Sequence, residues 1–468
     1  MRIRLSRRAV VSGGAATAAM LAAGPMAARA AAKPNILFIM ADDLGYADLS
    51  CYGRPDFRTP NLDRLAAQGM RFTQAYANSA VCSATRTALI TGRYQYRLPV
   101  GLEEPIAARE AGLPPSHPTL PSLLRAAGYQ TALIGKWHLG PLPKFGPLQS
   151  GYDHFWGYRN GAVDYFTHAL AGHADLWDGD TPVEQAGYLT DLLGERAVRT
   201  VEDFARSGRP FLLSLHFSAP HWPWEGPSDR AESDRLKGGT SVHQFMDFDG
   251  GSRATYAAMV QRMDDQAGRV LDALDRLNLA QDTIVVFTSD NGGERFADTW
   301  PFTGHKTELL EGGLRIPAIV RWPGHVRAGT TSDAQIMSMD WLPTFLAAAG
   351  TRPDPRYPPD GIDIAPALAG GSLPERTLYW RYKHLAQRAC RRGDWKYLKI
   401  RDQEFLFDVV ADPLERANMK AREPQRFAEL KQAWEKWNAT MLPLDPASNT
   451  GGFDASELAD HFGVSPDD

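Results

Sequence analysis

Two pairs of oxygen-bearing side chains stand far apart in the chain, Asp42-Asp43 and Asp290-Asn291. Three carboxylates and an amide suit a hard divalent cation such as Ca²⁺ or Mg²⁺ rather than zinc or copper. Brought together without a cation, the carboxylates would repel strongly. Each aspartate alone also fits a helix cap or a turn. Cys82 opens Cys82-Ser83-Ala84-Thr85-Arg86, which reads as a helix running to Thr91 with Gly92 as its cap. A helix N-terminus attracts anions, and Arg86, four residues on, shares a face with Cys82. Its guanidinium can hold a tetrahedral oxyanion or stabilise a nucleophile, whereas a lone cysteine is otherwise a small buried hydrophobe. Lys136 and His138, His221 between Pro220 and Trp222, and Lys306 ahead of Glu311-Gly312-Gly313 can bind an anion and shuttle protons. Each of these four also fits a packing or surface role.

These residues follow apolar runs. Asn35–Met40, Gln130–Ile134, Phe211–Phe217 and Thr283–Thr288 read as buried strands, each succeeded by one of the polar clusters. Helix-like stretches lie between them, at Asn61–Gln68, Pro121–Ala127, Tyr188–Phe204 and Ala254–Leu277. Strands alternating with helices predict an α/β fold, a large mainly parallel sheet sandwiched by helices, and sites in such sheets form at the carboxyl ends of strands. After a proline-rich border at Arg352–Gly361, the segments Leu378–Tyr382, Trp395–Ile400 and Glu404–Val409 alternate as antiparallel strands do, with Asp394 and Asp402 in the turns and a helix over Gln425–Met441. This predicts a catalytic domain over 31–370 and a small C-terminal α+β domain over 371–468.

The first 30 residues have a different character. Four arginines in Met1–Arg8, a small-residue apolar stretch and Ala28-Arg29-Ala30 have the layout of a secretory signal peptide. Ser6-Arg7-Arg8 resembles the twin-arginine type, which exports folded proteins, so a periplasmic or secreted enzyme without a membrane anchor is expected. Its removal takes five arginines and moves the formal charge from −4 to about −9, with no basic field for nucleic acid. Three cysteines, Cys51, Cys82 and Cys390, are too few for a disulfide scaffold.

Cys82–Arg86 with Thr91-Gly92-Arg93 is similar to the signature C-x-P-x-R followed by T-G-R, with Ala84 where proline is usual. Pro34–Gly45, Gly135–Gly140, Glu311–Gly324, Arg392–Lys396 and Asp412–Glu415 match further motifs. On these segments the chain, from about Pro34 to about Asn418, resembles the type I sulfatases of the alkaline-phosphatase-like superfamily. The resemblance implies that Cys82 is oxidised to Cα-formylglycine by a formylglycine-generating or anaerobic maturation enzyme acting on the unfolded chain. It implies one divalent cation, calcium or alternatively magnesium, on Asp42, Asp43, residue 82, Asp290 and Asn291. In the implied reaction the hydrated aldehyde, activated by the metal and Asp290, attacks the sulfur of a sulfate ester. His221 protonates the leaving alcohol with help from Lys306. His138 takes the proton of the second hydroxyl, so that sulfate leaves, while Arg86 and Lys136 neutralise the nucleophile and the sulfate oxygens.

Two other functions compete. A phosphonate or phosphate ester hydrolase of the same superfamily would handle an oxyanion of the same geometry. A non-catalytic sugar-binding descendant would have lost catalytic positions that this chain retains. Glu103–Pro115, Asn160–His173 and Trp222–Asp249 are expected as loops around the pocket mouth. Among their residues and neighbours, Tyr165, Phe166, His168, Trp177, Trp222 and Trp224 are candidates to face sugar or aryl rings, and hydrophobic packing of a long loop fits each of them at least as well. A carbohydrate sulfate is preferred to a simple aryl sulfate.

Overall fold

The structure, a computed structural model, describes residues 33–102, 111–445, 448 and 451–452. The expected leader and most of the Glu103–Pro115 loop lie outside the described residues.

Four strands carry the architecture: Asn35–Ala41 (β1), Gln130–Lys136 (β2), Phe211–His216 (β3) and Thr283–Ser289 (β4). All but one of their residues are buried, which is why each reads as a near-continuous apolar run rather than an alternation. β1 lies between β4 and β3, and β3 pairs with β2, all parallel. Successive residues of β1 still serve different faces. Leu37, Ile39 and Ala41 pack with the helices Leu189–Ser207 and Arg253–Arg276, while Ile36, Phe38 and Met40 pack with Leu120–Ala126 and Trp341–Ala348. The sheet continues in parallel to His154–Tyr158 on one side, and on the other side Ala318–Arg321 runs antiparallel to β4, within ten strands in all.

Register places the site. Ala41 pairs with Ser289, Met40 with His216, and His216 with Gly135, so the carboxyl ends of the four strands lie on one line. Asp42-Asp43, Asp290-Asn291, Lys136 and the loop to His221 therefore leave the sheet at one edge. β2 runs two residues further than its apolar run suggests, so that Gly135 and Lys136 belong to the strand and not to a following loop.

The C-terminal region forms a four-stranded antiparallel meander of Thr377–Tyr382, Gln387–Arg392, Trp395–Ile400 and Gln403–Asp408, covered by the helix Pro424–Asn438. Gln387–Arg392 was not among the expected strands. Its Gln387 and Arg391 are buried, so its pattern reads as polar although it lies inside. Leu378 and Trp380 pack with Ala84 and Ala88 of the helix Cys82–Thr91 (α1), and the Trp380 indole donates to Ala77 O at 2.8 Å. No described helix is long and apolar enough to cross a membrane.

Candidate active site

α1 begins at Cys82 and is buried along its whole length, ending at Gly92 with φ 68°, the left-handed cap expected. Its first turn is held by Thr85, whose hydroxyl accepts from Ser79 N at 2.9 Å and donates to Ser79 O at 3.1 Å. Cys82 Sγ lies 3.2 Å from His138 Nδ1. Arg86 donates to Asp290 Oδ2 from Nε at 3.0 Å and from Nη2 at 2.7 Å. Lys136 Nζ donates to Asp42 Oδ2 at 2.5 Å. Lys306 Nζ donates to Asp43 Oδ2 at 2.6 Å and meets His221 Nε2 at 3.1 Å. All ten expected site residues, Asn291 on Asp43 Oδ1 at 2.7 Å among them, thus form one buried cluster, and none of the three aspartates caps a helix.

Hydrogen bonding fixes one tautomer. His221 Nδ1 is 2.8 Å from Trp222 O, an acceptor, so Nδ1 carries the proton and Nε2 accepts from Lys306. Burial, then the charge of Lys306, drives the His221 pKa well below the ordinary imidazole value, and burial with Lys136 does the same to His138. Burial opposes the charge on Lys306, yet Asp43 outweighs it and holds that pKa well above the usual range. Burial pushes the Asp42 carboxyl well up, and the charge of Asp290 adds to it against the pull of Lys136. Burial acts the same way on Asp290, but Arg86 and Lys136 overcome it and hold that carboxyl below its usual range.

The donor set fits a hard cation. Asn291 Nδ2 donates to Asp43 Oδ1 and to Gly292 O, which fixes the amide orientation and leaves Oδ1 without a hydrogen bond among the described residues. Asp42 Oδ1 is likewise buried without one. Buried acceptors left in this way are costly unless something electropositive meets them. Ligand atoms of Asp42, Cys82 and Asp290 all lie within 4.8 Å of one another. Asp42, Asp43 and His221 satisfy the same distance test, but both ring nitrogens of His221 are already engaged, so the oxygen-rich set is the better donor group.

The sulfatase family model matches residues 34–351, and a second model, the C-terminal region of N-sulphoglucosamine sulphohydrolase, matches residues 304–439. The N-acetylgalactosamine-6-sulfatase of Sus scrofa is 33% identical over 400 residues, 80% of this chain and 73% of its own. The chain belongs to the sulfatase family. Human arylsulfatase A is 32% identical over 452 residues, 89% of this chain and 85% of its own. Among solved structures, Ps i-CgsB in complex with k-i-k-neocarrahexaose has a TM-score of 0.80 at 29% identity, covering 92% of this chain and 97% of that one. This sulfatase is therefore a sulfuric ester hydrolase.

A cavity of about 180 Å³ opens above residue 82 of the sulfatase, with His138, His221 and Lys306 at its floor. Its outer wall differs from the expected one. Of the six aromatic and histidine candidates only Trp222 lines it, beside Leu170, Val242 and Met246 from the same expected loops. Tyr165 and Trp224 are buried in the core, and His168 is buried with its Nε2 3.2 Å from Gly187 O. Tyr165 nevertheless serves the site, since its hydroxyl donates to His221 O at 2.9 Å. Gly161 was also missed; a Cβ there would sit 2.6 Å from His138 Cε1, so only glycine leaves room for the ring. Asp43, His138 and Thr307 have positive φ, of 61°, 57° and 74°, a conformation that side chains adopt at a cost and that gathers at functional sites. Cys51 and Cys390 are free, and Cys390 Sγ donates to Leu430 O at 3.3 Å.

Proposed function

We propose that this sulfatase cleaves carbohydrate sulfate esters at residue 82 as formylglycine, with one Ca²⁺, or Mg²⁺, held by Asp42, Asp43, residue 82, Asp290 and Asn291. The observation that carries the reading is the placement of Cys82 Sγ against His138 Nδ1 and within 4.8 Å of the Asp42 and Asp290 oxygens. Charge supports it. Three aspartates face three cations, Arg86, Lys136 and Lys306, and burial keeps the two neighbouring histidines neutral. A divalent cation would leave the pocket positive, as a sulfate ester anion requires. Formylglycine would supply a hydrated aldehyde with two hydroxyls, one to attack sulfur and one whose deprotonation would restore the aldehyde C=O as the bond to sulfate breaks. The cation would act as a Lewis acid for that hydroxyl and the sulfate oxygens.

The side chains divide the remaining work. Arg86 and Lys136 hold negative charge beside residue 82. His221 Nε2 and Lys306 Nζ, 3.1 Å apart at the cavity where the leaving oxygen would lie, together hold the proton that this oxygen takes up. His138 Nδ1, at 3.2 Å from the residue 82 side chain, takes a proton from it. Burial of all of α1 supports modification before folding, in keeping with an exported, twin-arginine-type precursor. The division proposed for that precursor is a leader over 1–30, a catalytic domain over 31–370 and a C-terminal domain over 371–468. The related proteins whose names specify N-acetylgalactosamine-6-sulfate or a carrageenan oligosaccharide favour a sugar substrate.

Peptide mass spectrometry of residue 82, from cells containing the maturation enzyme, combined with rates on sulfated sugars, an aryl sulfate and an aryl phosphonate, tests the reading. The aldehyde and a preference for sulfate are expected. An unmodified thiol in active protein, or a phosphonate preference of several orders, would overturn it.

A further inference from the structure

The clamp on Arg86 extends beyond the acidic residues. Asp290 Oδ2 takes both Nε and Nη2, which leaves the guanidinium free to swing about that single oxygen. Its far side is set by Nη1, which lies 3.4 Å from Lys136 O and 3.3 Å from His216 Nδ1. His216 is the last residue of β3 and is buried. Its Nδ1 also stands 3.3 Å from Lys136 O, so two tautomers compete. If Nδ1 carried the proton, it would point at Lys136 O but oppose an Arg86 N–H. If Nδ1 is bare, the two Nη1 hydrogens separate cleanly, one to Lys136 O and one to His216, and no donors collide.

The second arrangement places the imidazole proton on Nε2, which is buried without a hydrogen-bond partner among the described residues. That atom is not stranded. His216 and Ser214 line an apolar-walled cavity of about 20 Å³ behind Arg86, on the side away from Cys82. Ser214 Oγ accepts from the Tyr152 hydroxyl at 2.9 Å and retains its own hydrogen. A volume of this size suffices for one water, which could accept from His216 Nε2 and from Ser214.

We propose that His216 is a positioning residue: a neutral imidazole, protonated on Nε2 and backed by one buried water, whose Nδ1 accepts from Arg86 Nη1 and fixes the plane in which Arg86 meets the sulfate oxygens. This rests on the anion-binding role proposed above for Arg86. The ring ends a strand whose other polar side chain is Ser214, and burial with the neighbouring guanidinium keeps it uncharged, its pKa pushed down to about 3. Arg86 is charged throughout, so the acceptor on His216 affects its direction and not its ionisation.

Three measurements on the full chain with Cys82 unmodified decide the matter. Nitrogen-15 NMR of histidine-labelled protein should show His216 bare at Nδ1 and protonated at Nε2. Titration with inorganic sulfate in the presence of CaCl₂, followed calorimetrically, should weaken by about tenfold or more in His216→Leu, the loss expected for a hydrogen bond to a charged group. His216→Asn, whose amide oxygen can occupy the Nδ1 position, should stay within about threefold of the parent, a rescue that a purely space-filling role would not produce. A His216 protonated at Nδ1, or equal sulfate affinity in parent and His216→Leu, overturns the proposal. Failure of the parent itself to bind sulfate would instead refute the anion-binding role of Arg86, with the tautomer still deciding the part played by His216.

Discussion

Calcium should raise the melting temperature of the unmodified chain, because the carboxylates that would receive it are otherwise crowded inside the protein. Asp42, Asp43 and Asp290 are all essentially inaccessible to solvent. A ligand that binds only the folded chain stabilises it by RT ln(1 + [L]/Kd), about 4 kcal/mol at roughly a thousandfold excess over Kd. Unfolding entropy for a chain of this size is about 0.9 kcal/mol per kelvin, so Tm should rise by about 4–5 °C. The companion variant gives a sharper sign. Asp42→Asn keeps an oxygen to accept from Lys136 but removes a charge that burial and Asp290 both disfavour. Its calcium shift should fall below about 1 °C, since a charged ligand is gone. Scanning calorimetry of both proteins in EDTA, CaCl₂ and MgCl₂ measures each quantity. A parent indifferent to both cations, or an Asp42→Asn variant that keeps the parent's full calcium shift, refutes the reasoning.

Other outcomes follow from the same geometry. Lys306→Met removes the donor that meets His221 Nε2, and kcat on a sulfate ester should fall by about a hundredfold or more; an unchanged rate would remove Lys306 from proton delivery. Gly161→Ala should displace the His138 ring and lower kcat by about a hundredfold, with Tm little altered; wild-type turnover would show that the ring has room to move. Glu311→Gln should cost about 3–5 kcal/mol in urea unfolding, because Glu311 accepts from Lys396 and Arg315 in a buried cluster with Arg391. Burial alone would raise the Glu311 pKa, but Lys396 and Arg315 hold it well below the usual range. Its contribution is therefore fully present above the unfolded carboxylate pKa of about 4.3 and is lost as pH falls below it. A parent–variant difference that instead grew on acidification would contradict this.

The parts of the fold visible in the sequence are those whose burial is uniform. β1 to β4 carry nearly continuous apolar runs because helices cover both faces, and a polar cluster soon after such a run is conspicuous. This is why Asp42, Lys136, His221 and Asp290 could be singled out. Met70–Phe72 and Thr330–Ser332 are too short for any period to show, and Gln387–Arg392 is disguised by buried polar residues such as Arg391, which bonds to Gln74 and Tyr76. His216 was absorbed into the run of β3, although a histidine and a serine in that run were a usable signal. The sequence left the pocket wall open between two readings for a related reason. Aromatic rings in a loop can serve the core as readily as a ligand, and Tyr165 and Trp224 went inward while Leu170, Val242 and Met246 line the mouth.

The left-handed backbone at Asp43, His138 and Thr307 bears on how this enzyme can be improved. Each such residue costs roughly 1 kcal/mol or more, which glycine, or in part asparagine, would recover. A directed-evolution campaign that selects for yield or heat resistance alone is thus drawn towards substitutions at positions 43, 138 and 307. Its winners would be sturdier proteins that hydrolyse nothing. Turnover has to be scored in every round, because at these three positions selection for folding and selection for chemistry pull in opposite directions.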